Sequence, residues 1–139
     1  MPLFEGQEVT QVVTPKDVRD LTGVQATDFH FESDDIEKEL DNLLKEWITR
    51  IESHMETRLK RTFVKDDIEY HAIRDILIRT VAKVVAVAQQ QRATPIVQIS
   101  DFAVSILNTS EVIKDLRTEL KPFLKRRVSV FSSLDNFEG

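Results

Sequence analysis

Apolar residues recur every three or four positions along much of this chain, which is the spacing of one face of an α-helix. The longest such stretch has apolar residues at 36, 40, 43, 44, 47, 48, 51, 55 and 59. It predicts an amphipathic helix over 36–61, about 27 residues and 40 Å long with its cap, at 1.5 Å per residue. Ser33 or Asp34 is the expected cap, and the charged opposite face is expected to be solvated.

A second long stretch follows Asp66 or Asp67, either of which can cap a helix running to about Arg92. Between positions 73 and 88 almost every side of this helix is apolar. A helix that is apolar all round is buried, so we expect it to be the most buried element.

A short helix is predicted over 15–22 by its two ends. Thr14 is the N-cap, proline occupies the first helical position, and Gly23 ends the helix. Val18 and Leu21 are its expected inward residues.

A fourth helix is predicted to open at the capping box of residues 108–111. Its apolar stripe comprises Val112, Ile113, Leu116, Leu120, Phe123 and Leu124. Because a proline removes a backbone donor, Pro122 should kink or end the helix near Lys121.

Two short β-like runs, 96–99 and 102–107, flank Ser100 and Asp101 and predict a hairpin. Phe102, Val104 and Ile106 alternate onto one face. A lone hairpin of this size is marginal in water, so it must lie on helices or pair with another chain. Ile99, Phe102, Val104 and Ile106 are therefore candidates for contact between subunits.

The two ends lack a periodic pattern. We expect residues 1–13 to form an extended or flexible arm, 14–127 a helical domain, and 128–139 a tail. The expected fold is mainly α: a small helical bundle with one long amphipathic helix, a buried central helix, a short hairpin and flexible arms. A solvated tail needs few apolar residues, and this one carries Val128, Val130, Phe131, Leu134 and Phe137, so we expect it to dock on another surface.

Composition narrows the function classes. The 139 residues include no cysteine, which excludes disulfides, thiolate metal sites and cysteine nucleophiles. The net charge is −5, and residues 1–67 carry 16 acidic and 9 basic side chains, so a generally basic nucleic-acid surface is not expected. The most apolar window, 76–88, is shorter than the roughly 20 residues that span a bilayer, so we expect no membrane partner.

Catalytic chemistry is not indicated. His30, His54 and His71 are not at metal-ligand spacings, and we expect structural histidines. The acidic residues lie on helix faces that also carry bases, and no nucleophile or phosphate-loop motif is present. We therefore expect no enzyme, no cofactor and no metal.

One alternative is a small DNA-binding regulator. Residues 14–24 match the first helix and turn of a helix-turn-helix. The residues that follow are acidic where a recognition helix meets phosphates, which argues against it. Lys121, Lys125, Arg126 and Arg127 also offer charges to a phosphate or to an acidic protein surface.

The order of elements resembles the head–tail connector, or head-completion adaptor, proteins of long-tailed bacteriophages. The resemblance is carried by residues 13–23, the helices over 36–61, 73–88 and 110–124, and the hairpin over 98–108. The resemblance covers residues 13–127, and it consists in the order in which these elements follow one another.

The resemblance implies a homo-oligomeric ring, a dodecamer, beneath the portal protein. Such a ring extends the DNA channel, passes genomic DNA without sequence-specific binding, and contacts a tail-completion or stopper protein. It implies a virion protein at the head–tail interface, assembled in the host bacterial cytoplasm. The candidate residues for docking on the portal or a neighbour are Arg126, Arg127, Val128, Val130, Phe131, Leu134 and Phe137. A helical interaction domain of unrelated origin is the remaining alternative.

Overall fold

A computed structural model of the chain describes residues 2–29, 31, 34–90 and 111–124, and within them the protein is mainly helical. The α-helices are α1 (Val9–Val12), α2 (Pro15–Thr22), α3 (Ile36–Leu59), α4 (Ile68–Gln90) and α5 (Glu111–Leu120). Short 3-10 helices cover Ala26–Asp28 and Lys121–Phe123. The part described contains no strand, and the predicted hairpin over 98–107 and tail over 128–139 lie outside it.

The ends of α2 are confirmed. The Thr14 hydroxyl accepts a hydrogen bond from the Asp17 amide at 3.2 Å, and the Asp17 carboxylate accepts one from the Thr14 amide at 2.9 Å. Gly23 follows the helix at φ 70°, a conformation that glycine adopts without a Cβ penalty. Val18 is fully buried as expected, but Leu21 is 56% exposed, so its assignment to the inward face is wrong.

The long helix α3 is confirmed with different ends. Its cap is Asp35, whose carboxylate accepts from the Lys38 amide at 3.1 Å, one or two residues later than the predicted Ser33 or Asp34. Lys60 stops it in the left-handed conformation at φ 51°. The helix therefore has 24 residues and is about 36 Å long. Its buried face comprises Leu40, Leu43, Leu44, Trp47, Ile48, Ile51, Glu52, Met55 and Leu59.

The expectation that α4 is the most buried helix is confirmed among the helices described. It packs against α2, α3 and α5. Its buried residues are Tyr70, Ile73, Ile76, Leu77, Ile78, Thr80, Val81, Val84, Val85 and Ala88. Both hydroxyls of this set are satisfied, because Thr80 donates to the Ile76 carbonyl at 2.8 Å and Tyr70 donates to Gln7 at 2.9 Å. On α5, Val112, Leu116 and Leu120 face the core, and Pro122 follows the helix as predicted.

The N-terminal segment is not an arm, and this prediction is wrong for residues 2–13. Leu3 is 0% and Phe4 1% exposed, and Phe4 forms a parallel bridge with Phe63. The Phe63 amide donates to the Leu3 carbonyl at 2.8 Å, and the Tyr70 hydroxyl donates to Gln7 at 2.9 Å. These partners are about sixty residues away in the sequence, so the local spacing of apolar residues does not predict the contacts.

Candidate functional site

A polar groove of about 580 Å³ lies between α2 and α3. The guanidinium of Arg19 lies 2.9 Å from the Glu37 carboxylate and 3.8 Å from the Asp41 carboxylate. The ammonium of Lys16 lies 2.7 Å from the Asp20 carboxylate. The groove is lined by Thr14, Pro15, Lys16, Arg19, Asp20, Gly23, Val24, Gln25, Asp41 and Lys45. Because both signs of charge line it and largely pair, it suits a charged protein surface better than an apolar ligand.

The residues described between α2 and α3 contain no recognition helix. Among the residues described between Gly23 and Asp35, the helical structure is the three-residue turn Ala26–Asp28. The Asp28 carboxylate accepts from the Gln25 amide at 3.0 Å and from Gln89 Nε2 at 2.9 Å. This turn is therefore fixed against α4, and the next helix, α3, starts with acidic residues. The helix-turn-helix reading of residues 14–24 lacks its second element here.

Ion pairs join α4 to α5. Arg79 contacts both Asp75 and Glu119, and Lys83 lies 3.5 Å from Asp115 and 3.6 Å from Glu119. These side chains are partly exposed, so each pair contributes little by itself. As a network they fix the position of α5 on α4, and they engage Asp115 and Glu119, two of the three acidic side chains of α5.

Arg61 links three parts of the fold. Its Nη2 lies 2.8 Å from Glu69 Oε1, and its Nη1 donates to the Phe123 carbonyl at 3.2 Å. Its guanidinium carbon lies 4.5 Å from the centre of the Phe63 ring. Arg61 follows α3 and fixes the point where the chain leaves α5.

His54 is a half-buried histidine of α3 whose pKa is affected by two arginines. Its Nε2 is buried and makes no hydrogen bond to any described residue. Burial lowers the pKa of His54, and the positive charges of Arg117 and Arg58 lower it further. Arg58 of α3 and Arg117 of α5 are exposed, and neither forms an ion pair within the described part of the chain. Arg117 lies on a different helix from His54, so the spacing of the sequence does not predict its effect on that histidine.

Glu52 is a buried carboxylate on a different side of α3. Its Oε2 accepts from the Leu3 amide at 3.4 Å. Burial raises the pKa of Glu52, a hydrogen bond with Glu56 raises it further, and the Leu3 amide lowers it. Glu52 therefore anchors the N-terminal segment, a role that the charged-face pattern does not reveal.

The sites predicted for assembly stay predictions. The docking residues between 126 and 137 and the hairpin residues between 99 and 106 lie outside the described residues. Across the ranges that the structure does describe, no three histidine, aspartate or glutamate side chains gather in a way that holds a metal ion. None of the helices in those same ranges has both the length and the apolar character needed to cross a membrane.

Comparison with known proteins identifies no relative of this chain. No protein-family model matches the chain, and no curated protein or solved structure matches it.

Proposed function

We propose that the protein is a head–tail connector, or adaptor, of a long-tailed bacteriophage. In this role it forms a homo-oligomeric ring beneath the portal protein, extends the DNA channel, and presents a docking surface for the tail. The support is the resemblance in the order of elements, together with the helices found at four of its positions: α2, α3, α4 and α5.

The observation that carries the proposal is the pairing of two long helices. With 24 and 23 residues, α3 and α4 pack against each other, and α2 contacts both. One side of α3 is buried, while the side with Glu37, Lys45 and Arg50 is solvated or partly solvated. A block about 35 Å long with a polar outer face is suited to side-by-side packing in a ring.

The proposal also gives roles to the predicted hairpin and to the segment 126–137. The hairpin residues Ile99, Phe102, Val104 and Ile106 would pair with a neighbouring subunit. The segment 126–137 would dock on the portal or on that neighbour. DNA would pass through a lumen of mixed charge, because a strongly basic lining would bind phosphates and slow its passage.

Native mass spectrometry tests the proposal, first on the protein alone and then with a candidate portal protein. A large ring, with twelve subunits as the resemblance implies, or a ring that forms on the portal supports it. A monomer or dimer that ignores the portal and binds short duplex DNA in a salt-dependent way would instead support the regulator.

The docking segment has its own test. A variant lacking 126–137 should keep the helical domain and lose attachment to the portal or to tails. If that variant still yields full heads joined to tails, the docking role of the segment is wrong.

A further inference from the structure

Arg61 binds the end of α5 to the rest of the fold. Its Nη2 lies 2.8 Å from Glu69 Oε1 of α4, and its Nη1 donates to the Phe123 carbonyl at 3.2 Å. That carbonyl belongs to the 3-10 turn Lys121–Phe123, which follows α5. Among the residues that the structure describes, this is the one hydrogen bond between the turn and another element. Arg61 therefore holds the turn from outside its own helix.

The ring of Phe63 supports the Arg61 guanidinium. The guanidinium carbon lies 4.5 Å from the ring centre, and Phe63 is 0% exposed. The backbone of Phe63 is held as well, because its amide donates to the Leu3 carbonyl at 2.8 Å and its carbonyl accepts from the Glu5 amide at 3.0 Å. A polar side chain that rests on a buried ring with a bonded backbone keeps a defined position.

The turn that Arg61 holds comes directly before the segment proposed to dock. Phe123 is three residues before Arg126, the first residue of the segment 126–137. Three residues of fully extended chain span at most about 11 Å. A displacement of the Phe123 carbonyl therefore moves the start of the docking segment with it.

We infer that Arg61 is a positioning residue for the docking segment 126–137. By holding the Phe123 carbonyl beside Glu69 and Phe63, it sets the point from which the segment reaches the portal or a neighbouring subunit. The inference rests on the proposed function, from which it takes the docking role of the segment. A segment that starts from a fixed point loses less conformational freedom on binding, so Arg61 strengthens attachment without contacting the partner.

The test compares two arginines that have the same kinds of partner. Arg61→Met removes the donor to one carbonyl and the partner of one carboxylate. Arg74→Met does the same, but its partners, the Val12 carbonyl and Asp17, lie in α1 and at the start of α2. Attachment to a candidate portal protein is measured by native mass spectrometry at a series of portal concentrations. Arg61→Met should weaken it by about tenfold or more, and Arg74→Met by less than about twofold.

A second measurement follows the turn itself and needs no partner. The chain has no cysteine, so cysteines introduced at the exposed positions Ala72 and Lys121 can be labelled with nitroxides. The distance distribution between the two labels should be broader in Arg61→Met than in the labelled chain that keeps Arg61. Arg74→Met should leave it unchanged. Urea unfolding establishes how far the two variants differ in stability.

Milder variants resolve the contributions of the charge and of the ring. Arg61→Lys keeps the charge but lacks the planar fork that reaches two oxygens at once, so it should retain part of the attachment. It also replaces Arg61→Met if that variant does not fold. Phe63→Leu removes the ring beneath the guanidinium and should weaken attachment more than Phe4→Leu, which shortens a different buried ring.

The failures of the two proposals differ. If the wild type assembles and the Arg61 variants attach as tightly as it does, the inference is overturned and the connector function stands. Equal losses of attachment in Arg61→Met and Arg74→Met, or an unchanged label distance in Arg61→Met, also overturn the inference. A wild type that neither forms a ring nor binds the portal overturns the proposed function and this inference with it.

Discussion

Arg74 of α4 lies 3.2 Å, through its Nη2, from the same Asp17 carboxylate oxygen that accepts a hydrogen bond from the Thr14 amide. Its Nε also donates to the Val12 carbonyl at 2.9 Å. One side chain thereby connects the end of α1, the cap of α2 and the central helix. The capping box of α2 is thus part of the tertiary structure as well as a local helix start.

Replacing Arg74 by methionine should lower the free energy of unfolding by about 1–2 kcal/mol, because the Val12 carbonyl and the Asp17 carboxylate each lose a donor. Urea unfolding at neutral pH measures the change. Arg50→Met is the matched control, since it removes a partly exposed pair with Glu46 within one helix. That control should cost no more than about 0.5 kcal/mol; equal losses in both variants would contradict the linking role of Arg74.

Phe4→Ala tests the packing of the N-terminal segment. Phe4 is 1% exposed, and its ring packs edge-on against Tyr70 at 5.3 Å between centroids. Truncating a buried phenylalanine should cost about 3–5 kcal/mol. Ile68 is 90% exposed, so Ile68→Ala should change stability by less than about 0.5 kcal/mol. A negligible effect of Phe4→Ala would restore the flexible-arm interpretation.

Glu52→Gln should stabilise the protein at neutral pH. The raised pKa of Glu52 means that the folded chain holds this proton more tightly than the unfolded chain. This group therefore makes stability fall as pH rises from the ordinary value of 4.5 through the raised pKa. Glutamine can still accept from the Leu3 amide, and it has no charge to desolvate.

The measurement is the difference in urea midpoint between Glu52→Gln and the wild type across pH. The difference should favour the variant at pH 7 and close as the pH approaches 4. Glu46→Gln, on the partly exposed face of α3, is the control for the loss of one carboxylate. A Glu52→Gln variant that is less stable than the wild type at pH 7 would show that the carboxylate is needed in its charged form.

His54 should make the protein less stable in mild acid. Its pKa is lowered, so the unfolded chain binds this proton more tightly, and stability is lost as pH falls from the ordinary value of 6.5 through the lower pKa of the fold. His54→Leu removes both this titration and a buried nitrogen without a hydrogen bond. Urea midpoints at pH 7.5 and 5.5 should therefore differ less in the variant than in the wild type.

His71→Leu, at an exposed position of α4, controls for the loss of a histidine from the chain. If His54→Leu leaves the pH dependence of the wild type unchanged, the positive surroundings of His54 do not affect folding.

Local patterns in the sequence predicted those parts of the fold that depend on neighbouring residues. The ends of α2 followed from Thr14, proline and Gly23, because capping is decided within one turn. Leu21 was misassigned because two turns of helix do not define which side meets α3 and α4. The predicted cap of α3, Ser33 or Asp34, lies one or two residues before the observed cap, Asp35. The sequence does not distinguish them, because all three residues offer a capping oxygen.

The candidate site was harder to predict than the fold. The charge of Arg117 affects His54 from another helix, and Arg61 donates to a carbonyl 62 positions away in the sequence. Such contacts depend on how helices cross, which periodicity does not encode. Charge patterning did reveal that the acidic residues are concentrated in the first half of the chain, which includes Glu37 and Glu39 in the first turn of α3.

The bonds that fix the first thirty residues have a consequence for protein synthesis. Gln7, the Val12 carbonyl and Asp28 bind Tyr70, Arg74 and Gln89, which lie 63, 62 and 61 positions later. A ribosome adding about 5–20 residues per second needs roughly 3–12 s to supply those partners. During that interval Leu3 and Phe4 have no core to enter. We therefore expect nascent chains halted before α4 to be captured by holding chaperones, and longer ones to be released.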